Sequence, residues 1–239
     1  KLSGKTALIT GSSRGIGKGI ALYLAQAGAH IVGNSVDPNK EKRVNDVIAE
    51  VQAIGGRIDW VYGDVTTPEG RGRLLQAGKK LAVKTKKDPT IDFVFLNAAG
   101  GLEPDKPDGW ANTINVTSQL ALVDSFKESI ARGGGFVNIS SLWSHGFGEV
   151  KQLPFYRPVA RSKHVGEMKL RAMIPELAKD DINIWFLCGN LIQGTGVHKI
   201  FERSYKETIE QLRQEYERQT GMTEFPTVED MSQAALTTL

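Results

Sequence analysis

TALITGSSRGIGKGIALYLAQAG, residues 6–28, is the stretch that decides the fold. A short β-rich run ends at Thr10, Gly11, Gly15 and Gly17 follow, and an amphipathic helix begins. Glycines let a backbone turn tightly and come close to a ligand, and the free NH groups at a helix mouth suit an anion. Between strand and helix, glycines stand where a grip on a diphosphate needs them. The spacing is G-x-x-x-G-x-G, not the G-x-G-x-x-G of many dinucleotide-binding folds.

Outward from this stretch the pattern repeats. Further short apolar runs are HIVG (30–33), IDWVYG (58–63), IDFVFLN (91–97), GFVNIS (135–140) and INIWFLC (182–188). Helical stretches alternate with them at 40–54, 69–84, 111–131, 159–179 and 198–219. In the first of these, Val44, Val47, Ile48, Val51 and Ile54 recur at helical spacing and predict one buried face. The alternation implies an α/β protein, a Rossmann-like doubly wound parallel sheet in three αβα layers. With no repeat and no flexible linker, residues 1–239 read as a single domain. Residues 198–219 are highly charged, which suits a half-exposed helix, either a lid over a site or a plain surface helix. Thr227 and Asp230 predict a capping box for a last helix.

Composition narrows the function. A net charge of +3 in 239 residues is too weak to argue for nucleic acid. The cluster Lys79, Lys80, Lys84, Lys86 and Lys87 reads as a solvated helix end. No run has the length of a membrane span, and none reads as a signal peptide. One cysteine, Cys188, permits no internal disulfide and fits a reducing cytoplasmic setting, where it reads as a buried, inert thiol. His30, His145, His164 and His198 are scattered, so no metal site is expected.

Taken together, several motifs resemble the short-chain dehydrogenase/reductase superfamily over nearly the whole chain. TGSSRGIG resembles the T-G-x-x-x-G-x-G loop, Asp64-Val65 the adenine-contacting pair, and Asn97-Ala98-Ala99-Gly100 the N-A-G motif. Asn115 matches the mid-helix active-site Asn, Ser141 the catalytic Ser and Lys163 the catalytic Lys. The resemblance implies that Gly11, Ser13, Arg14, Gly15, Ile16 and Gly17 hold the phosphates and adenosine end of a cofactor. It implies that Asn97, Ala98 and Ala99 line that cofactor and that Lys163 holds its nicotinamide ribose. Ser141 would polarise a substrate oxygen, with Asn115 supporting a proton relay. At the end of the second strand stand Asn34 and Ser35, with no acid until Asp37. A missing acid with Arg14 at hand favours NADP over NAD, although slack in the loop could bring Asp37 back.

One residue departs from the family. Its Y-x-x-x-K pair puts tyrosine and lysine one helical turn apart, and here the pair reads V-A-R-S-K, with Val159 in the tyrosine's place. Valine transfers no proton. Three readings stay open. Tyr156, seven residues before Lys163, moves in from the loop ahead of Pro158. His145, four after Ser141, serves instead. Or the hydride chemistry is lost and the chain binds a dinucleotide without redox turnover. Arg157 and Arg161 cannot give up protons, but could bind an anionic substrate. Gly189-Asn190 replaces the family's P-G, and Trp185 a common Asn. The 98–115 segment is shorter than usual and Ser141 to Lys163 longer, which implies a rebuilt pocket. The favoured expectation is an NADP-dependent oxidoreductase that interconverts a carbonyl and an alcohol on a small molecule, with Ser141, Tyr156, Lys163 and Asn115 as its catalytic set. A homodimer or homotetramer is implied, with helices 111–131 and 159–179 as the dimer surface.

Overall fold

A computed structural model describes residues 2–239. Strand and helix alternate from the start. β1 (Thr6–Ile9) leads to α1 (Gly15–Gln26), β2 (His30–Ser35), α2 (Glu41–Ala53), β3 (Arg57–Tyr62), α3 (Pro68–Lys86) and β4 (Ile91–Leu96). Then come α4 (Trp110–Asn112), a π-helical turn (Thr113–Thr117), α5 (Ser118–Phe126), β5 (Ile130–Ser141), α6 (Leu142–His145), α7 (Arg157–Leu177) and β6 (Asn183–Gly189). The chain closes with α8 (Gly196–Ser204), α9 (Lys206–Thr220) and α10 (Val228–Thr237).

All six strands run parallel in the order β3-β2-β1-β4-β5-β6. Side chains alternate across a strand, so each strand feeds two cores. Ala7 and Ile9 pack with Ile20, Leu24 and Val51 of α1 and α2 and with Met231 and Ala235 of α10. Leu8 and Val94 face the other way, onto Leu74, Leu122, Phe126 and Leu170 of α3, α5 and α7. This is the three-layer Rossmann-like arrangement. The order reverses between β1 and β4, and the crevice at the carboxyl ends of these strands is where such sheets take ligands.

Local chemistry sets the helix starts. Thr67 accepts from Gly70 N at 3.0 Å ahead of Pro68, so α3 opens with a cap and a residue that needs no NH partner. Thr227 and Asp230 form the expected capping box on α10. On α2, Val44, Val47 and Val51 are buried as expected, whereas Ile54 is exposed. The stretch 198–219 is not one helix: it breaks at Tyr205, whose ring stacks on Phe155 instead of extending the charged face. Lys86 leaves its expected solvated cluster to pair with the buried Asp92 at 2.8 Å.

Candidate functional site

Three segments meet at the crevice. Thr10 ties two of them together, donating to Phe95 O and accepting from the backbone NH groups of Asn97 and Ala98, each at 3.0 Å. Asn97 returns the tie, donating from Nδ2 to Thr10 O at 2.8 Å and Gly11 O at 3.1 Å. Asn97 is therefore a strut that fixes the glycine loop against the end of β4. A Cβ on Gly17 would stand 2.5 Å from that amide and 2.7 Å from Gly11 O, so only glycine fits. Gly15 has φ +55, in the left-handed region, with open space beside it.

The mouth of α1 is left open. Its N-cap, Arg14, makes no side-chain cap, and its first turn holds no acid. The guanidinium of Arg14 is exposed and makes no ion pair among the described residues. Free amides, a positive helix end and an unpaired guanidinium are the donor set that a phosphorylated dinucleotide requires. The residues present fit that group.

Asn34 does not face the crevice with a free side chain. It is buried, accepts from Gly11 N at 3.2 Å and donates to Val61 O and Gly63 O at 3.2 and 3.0 Å. Its expected ligand contact gives way to a tie between the loop and β3, because a buried amide must satisfy its own donors. Ser35 is likewise buried and accepts from Trp60 Nε1 at 3.2 Å. Asp64 accepts from the backbone and hydroxyl of Thr66, and Val65 is buried beside it. Asp37 accepts from Asn39 N and pairs with Lys40, which holds its carboxyl below the usual range.

At the far end of the crevice lies the corner around Lys163. Val159 is buried against Gly101, where a Cβ would stand 3.0 Å from its Cγ2. Tyr156 caps α7 from the preceding turn, and its side chain folds inward and is buried, edge-on to Trp143 at 5.6 Å. Burial pushes the phenol above its ordinary pKa, and the neighbouring Ser141 hydroxyl draws it part of the way back. The Ser141 hydroxyl bonds the Ser144 hydroxyl at 2.9 Å and accepts from Ser144 N at 3.3 Å, so it also caps α6. Asn115, held in the π turn, donates to Gly100 O at 2.9 Å and Ser162 Oγ at 3.0 Å and accepts from Gly100 N at 3.2 Å. Its side chain braces the Gly100 loop and has no amide hydrogen left over for a relay.

Aromatic rings wall this corner. Trp143 stacks on Phe201 of α8 with centroids 6.3 Å apart, and Phe155 lies on Tyr205 at 3.9 Å. Phe201 is fully buried, so α8 is anchored over the corner, while α9 buries only Ile209. Arg157 and Arg161 point elsewhere, into a groove of about 1140 Å³ shared with Asn112, Thr117, Phe147 and Val165.

The sequence reading missed one set of contacts. Glu167, one turn beyond Lys163, is buried and accepts from Ser140 Oγ at 2.9 Å, from Arg171 at 2.8 Å and from His145 Nδ1 at 2.6 Å. His145 is thus tied to α7 through this carboxylate. Cys188 lies close to the same carboxylate and is only half-buried, and burial pushes its thiol pKa up. Burial pulls the Lys163 amine down to about 8, opposed by Cys188 and Glu167. The signal was in the sequence: Glu167 stands on the same helical stripe as Val159, Lys163 and Leu170, a charge on a buried face.

No helix among the described residues is long and apolar enough to cross a membrane. The family model described as short chain dehydrogenase matches residues 5–219. The chain is 31% identical over 247 aligned residues to a dehydrogenase/reductase SDR family member 4 of Pongo abelii, covering 97% of this chain and 84% of that one. It is 44% identical over 149 residues to a hydroxynaphthalene reductase-like protein Arp2 of Metarhizium robertsii. That match takes in 59% of this chain and spans about half, 52%, of the fungal relative. Among solved structures, a 7α-hydroxysteroid dehydrogenase complexed with NADH and 7-oxo glycochenodeoxycholic acid superposes with TM-score 0.77 at 25% identity, covering 99% of this chain and 87% of that one. The angucycline C-6 ketoreductase LanV with bound NADP superposes with TM-score 0.78 at 22% identity, covering 98% and 88%.

Proposed function

The chain belongs to the short-chain dehydrogenase/reductase family, and from that premise we propose that it is an NADP-dependent oxidoreductase working through a rearranged catalytic set. It interconverts a carbonyl and an alcohol on a small molecule. The observation that carries the reading is Tyr156, folded inward beside the Ser141 hydroxyl while Val159 fills the family's tyrosine position.

The residues would act as follows. Gly11, Ser13, Arg14, Gly15, Ile16 and Gly17 hold the phosphates, and Arg14 favours a 2′-phosphate. Asp64, Val65, Asn97, Ala98 and Ala99 line the adenine and nicotinamide sides. When bound, the dinucleotide supplies or accepts the hydride. Either hydroxyl can donate in the Ser141–Ser144 bond, and with Ser144 as donor the Ser141 proton is free for the substrate oxygen. Tyr156, kept protonated by burial, gives its proton to that oxygen as negative charge develops. Lys163 holds the nicotinamide ribose, and Asn115 keeps the Gly100 loop in place. The aromatic wall of Trp143, Phe155, Phe201 and Tyr205 suits an apolar carbonyl compound. The faces of α5 and α7 form the dimer surface.

The test is NADPH consumption against a panel of ketones and aldehydes, with Tyr156→Phe beside the parent. Turnover in the parent and its loss in the variant is the expected result; full turnover in the variant removes Tyr156 from the role. One observation favours a second reading, cofactor binding without turnover: a valine, Val159, which transfers no proton, stands four residues before Lys163. Tight NADPH binding with no oxidation across the panel would select it.

A further inference from the structure

We propose that Glu167 is a positioning residue, its buried carboxylate the fixed counter-charge that holds Lys163 as an ammonium in the crevice. The inference rests on the reading of Lys163 as the ribose-holding residue and goes beyond it by naming what sets the state of that amine.

Lys163 and Glu167 lie one helical turn apart on the inward stripe of α7. A carboxylate with no exposed side-chain surface persists as an anion only if donors replace water. Three elements supply them: Ser140 from β5, His145 from α6 and Arg171 from α7, the last through both Nε and a terminal nitrogen. Burial opposes ionisation of Glu167, and these bonds outweigh it, so its carboxyl is held below the usual range. The Lys163 amine, in contrast, makes no hydrogen bond to protein among the described residues. Around it stand Glu167 and Cys188. Burial pushes the thiol pKa up, which favours its neutral form and leaves Glu167 as the standing negative charge in reach. Arg171 offsets part of that charge. With its guanidinium lying over the Phe186 ring at 4.1 Å and partly exposed, it does so at the edge of the cluster. Arg171 already pairs with the one carboxylate at 2.8 Å, which argues against reading His145, Glu167 and Cys188 as a metal site.

The geometry makes opposite predictions for two variants. Glu167→Gln removes the charge at constant shape and releases the Lys163 proton at lower pH. Arg171→Met removes the offsetting cation and keeps the proton to higher pH. The readout needs no cofactor: Lys163 acylation by acetic anhydride is followed across pH by mass spectrometry. The parent midpoint is expected near 8. In Glu167→Gln it falls by roughly one unit, as expected for the loss of an opposite charge at this range. In Arg171→Met it rises by a smaller step. Unmoved midpoints in both variants, or a fall in Arg171→Met, overturn the proposal. If Glu167→Gln does not fold, Arg171→Met carries the test, because its side chain is partly exposed. NADPH oxidation is measured in parallel. Shifted midpoints without turnover overturn the catalytic reading alone; turnover with fixed midpoints overturns the counter-charge alone.

Discussion

The two ends of the crevice are built on different principles. At the α1 end, Thr10, Asn34 and Asn97 spend their polar atoms on backbone groups, and what remains for a ligand is amide NH and glycine space. At the α7 end the proposed working groups are side chains: Tyr156 stands in the turn ahead of the helix, and Val159 is buried one turn before Lys163. A backbone grip tolerates little change, because each glycine is fixed by φ or by a neighbour's approach. A proton donor needs only an oxygen in the right place, and a longer loop can deliver it from a different residue.

The largest effect that would break this contrast sits in the cradle. Gly17→Val places a branched side chain against Asn97 Nδ2 and Gly11 O. It should abolish NADPH-induced thermal stabilisation and lower stability by about 1–3 kcal/mol through overpacking. Retained binding would mean that the loop does not grip the diphosphate. Next comes Tyr156→Phe, which should lower kcat by roughly 10²–10⁴ with cofactor affinity intact. Adding Val159→Tyr to that variant sharpens the contrast, since a phenol returned to the helix should recover about tenfold or more of the lost rate. No recovery would mean that the Gly101 contact has closed the old position.

Alkaline pH gives a smaller effect. Lys163 is held below its ordinary value, at about 8, so its ammonium is present below that pH and lost as pH rises through it. NADPH affinity should therefore fall above about 8 and hold level below. A flat profile to pH 10 would detach the amine from cofactor binding. Smallest is Arg14→Ala, which should weaken NADPH by roughly tenfold with little change for NADH, the worth of about one charge-assisted phosphate contact. Equal losses for both would place Arg14 away from a 2′-phosphate.

The same contrast explains what could be read without coordinates. Short apolar runs alternating with helical stretches give the sheet, and the glycine spacing gives the cradle, because both follow from local backbone rules. Lys163, Ser141 and Asn115 are proposed from their place in motifs. What Asn34 and Asn115 bond to was not legible, because an amide's partners are set by tertiary approach rather than by spacing. The tie of His145 was not legible because its partner, Glu167, lies 22 positions away. The break at Tyr205 was hidden by a charged helical pattern that continues on both sides of it, and its cause is an aromatic stack with Phe155, 50 positions back.

The most direct test of the central claim is calorimetric titration of the intact chain with NADPH, NADP, NADH and NAD. Saturable heat and a raised melting temperature are expected, strongest for the phosphorylated pair. Neither heat nor stabilisation from any of the four at millimolar concentration would contradict it.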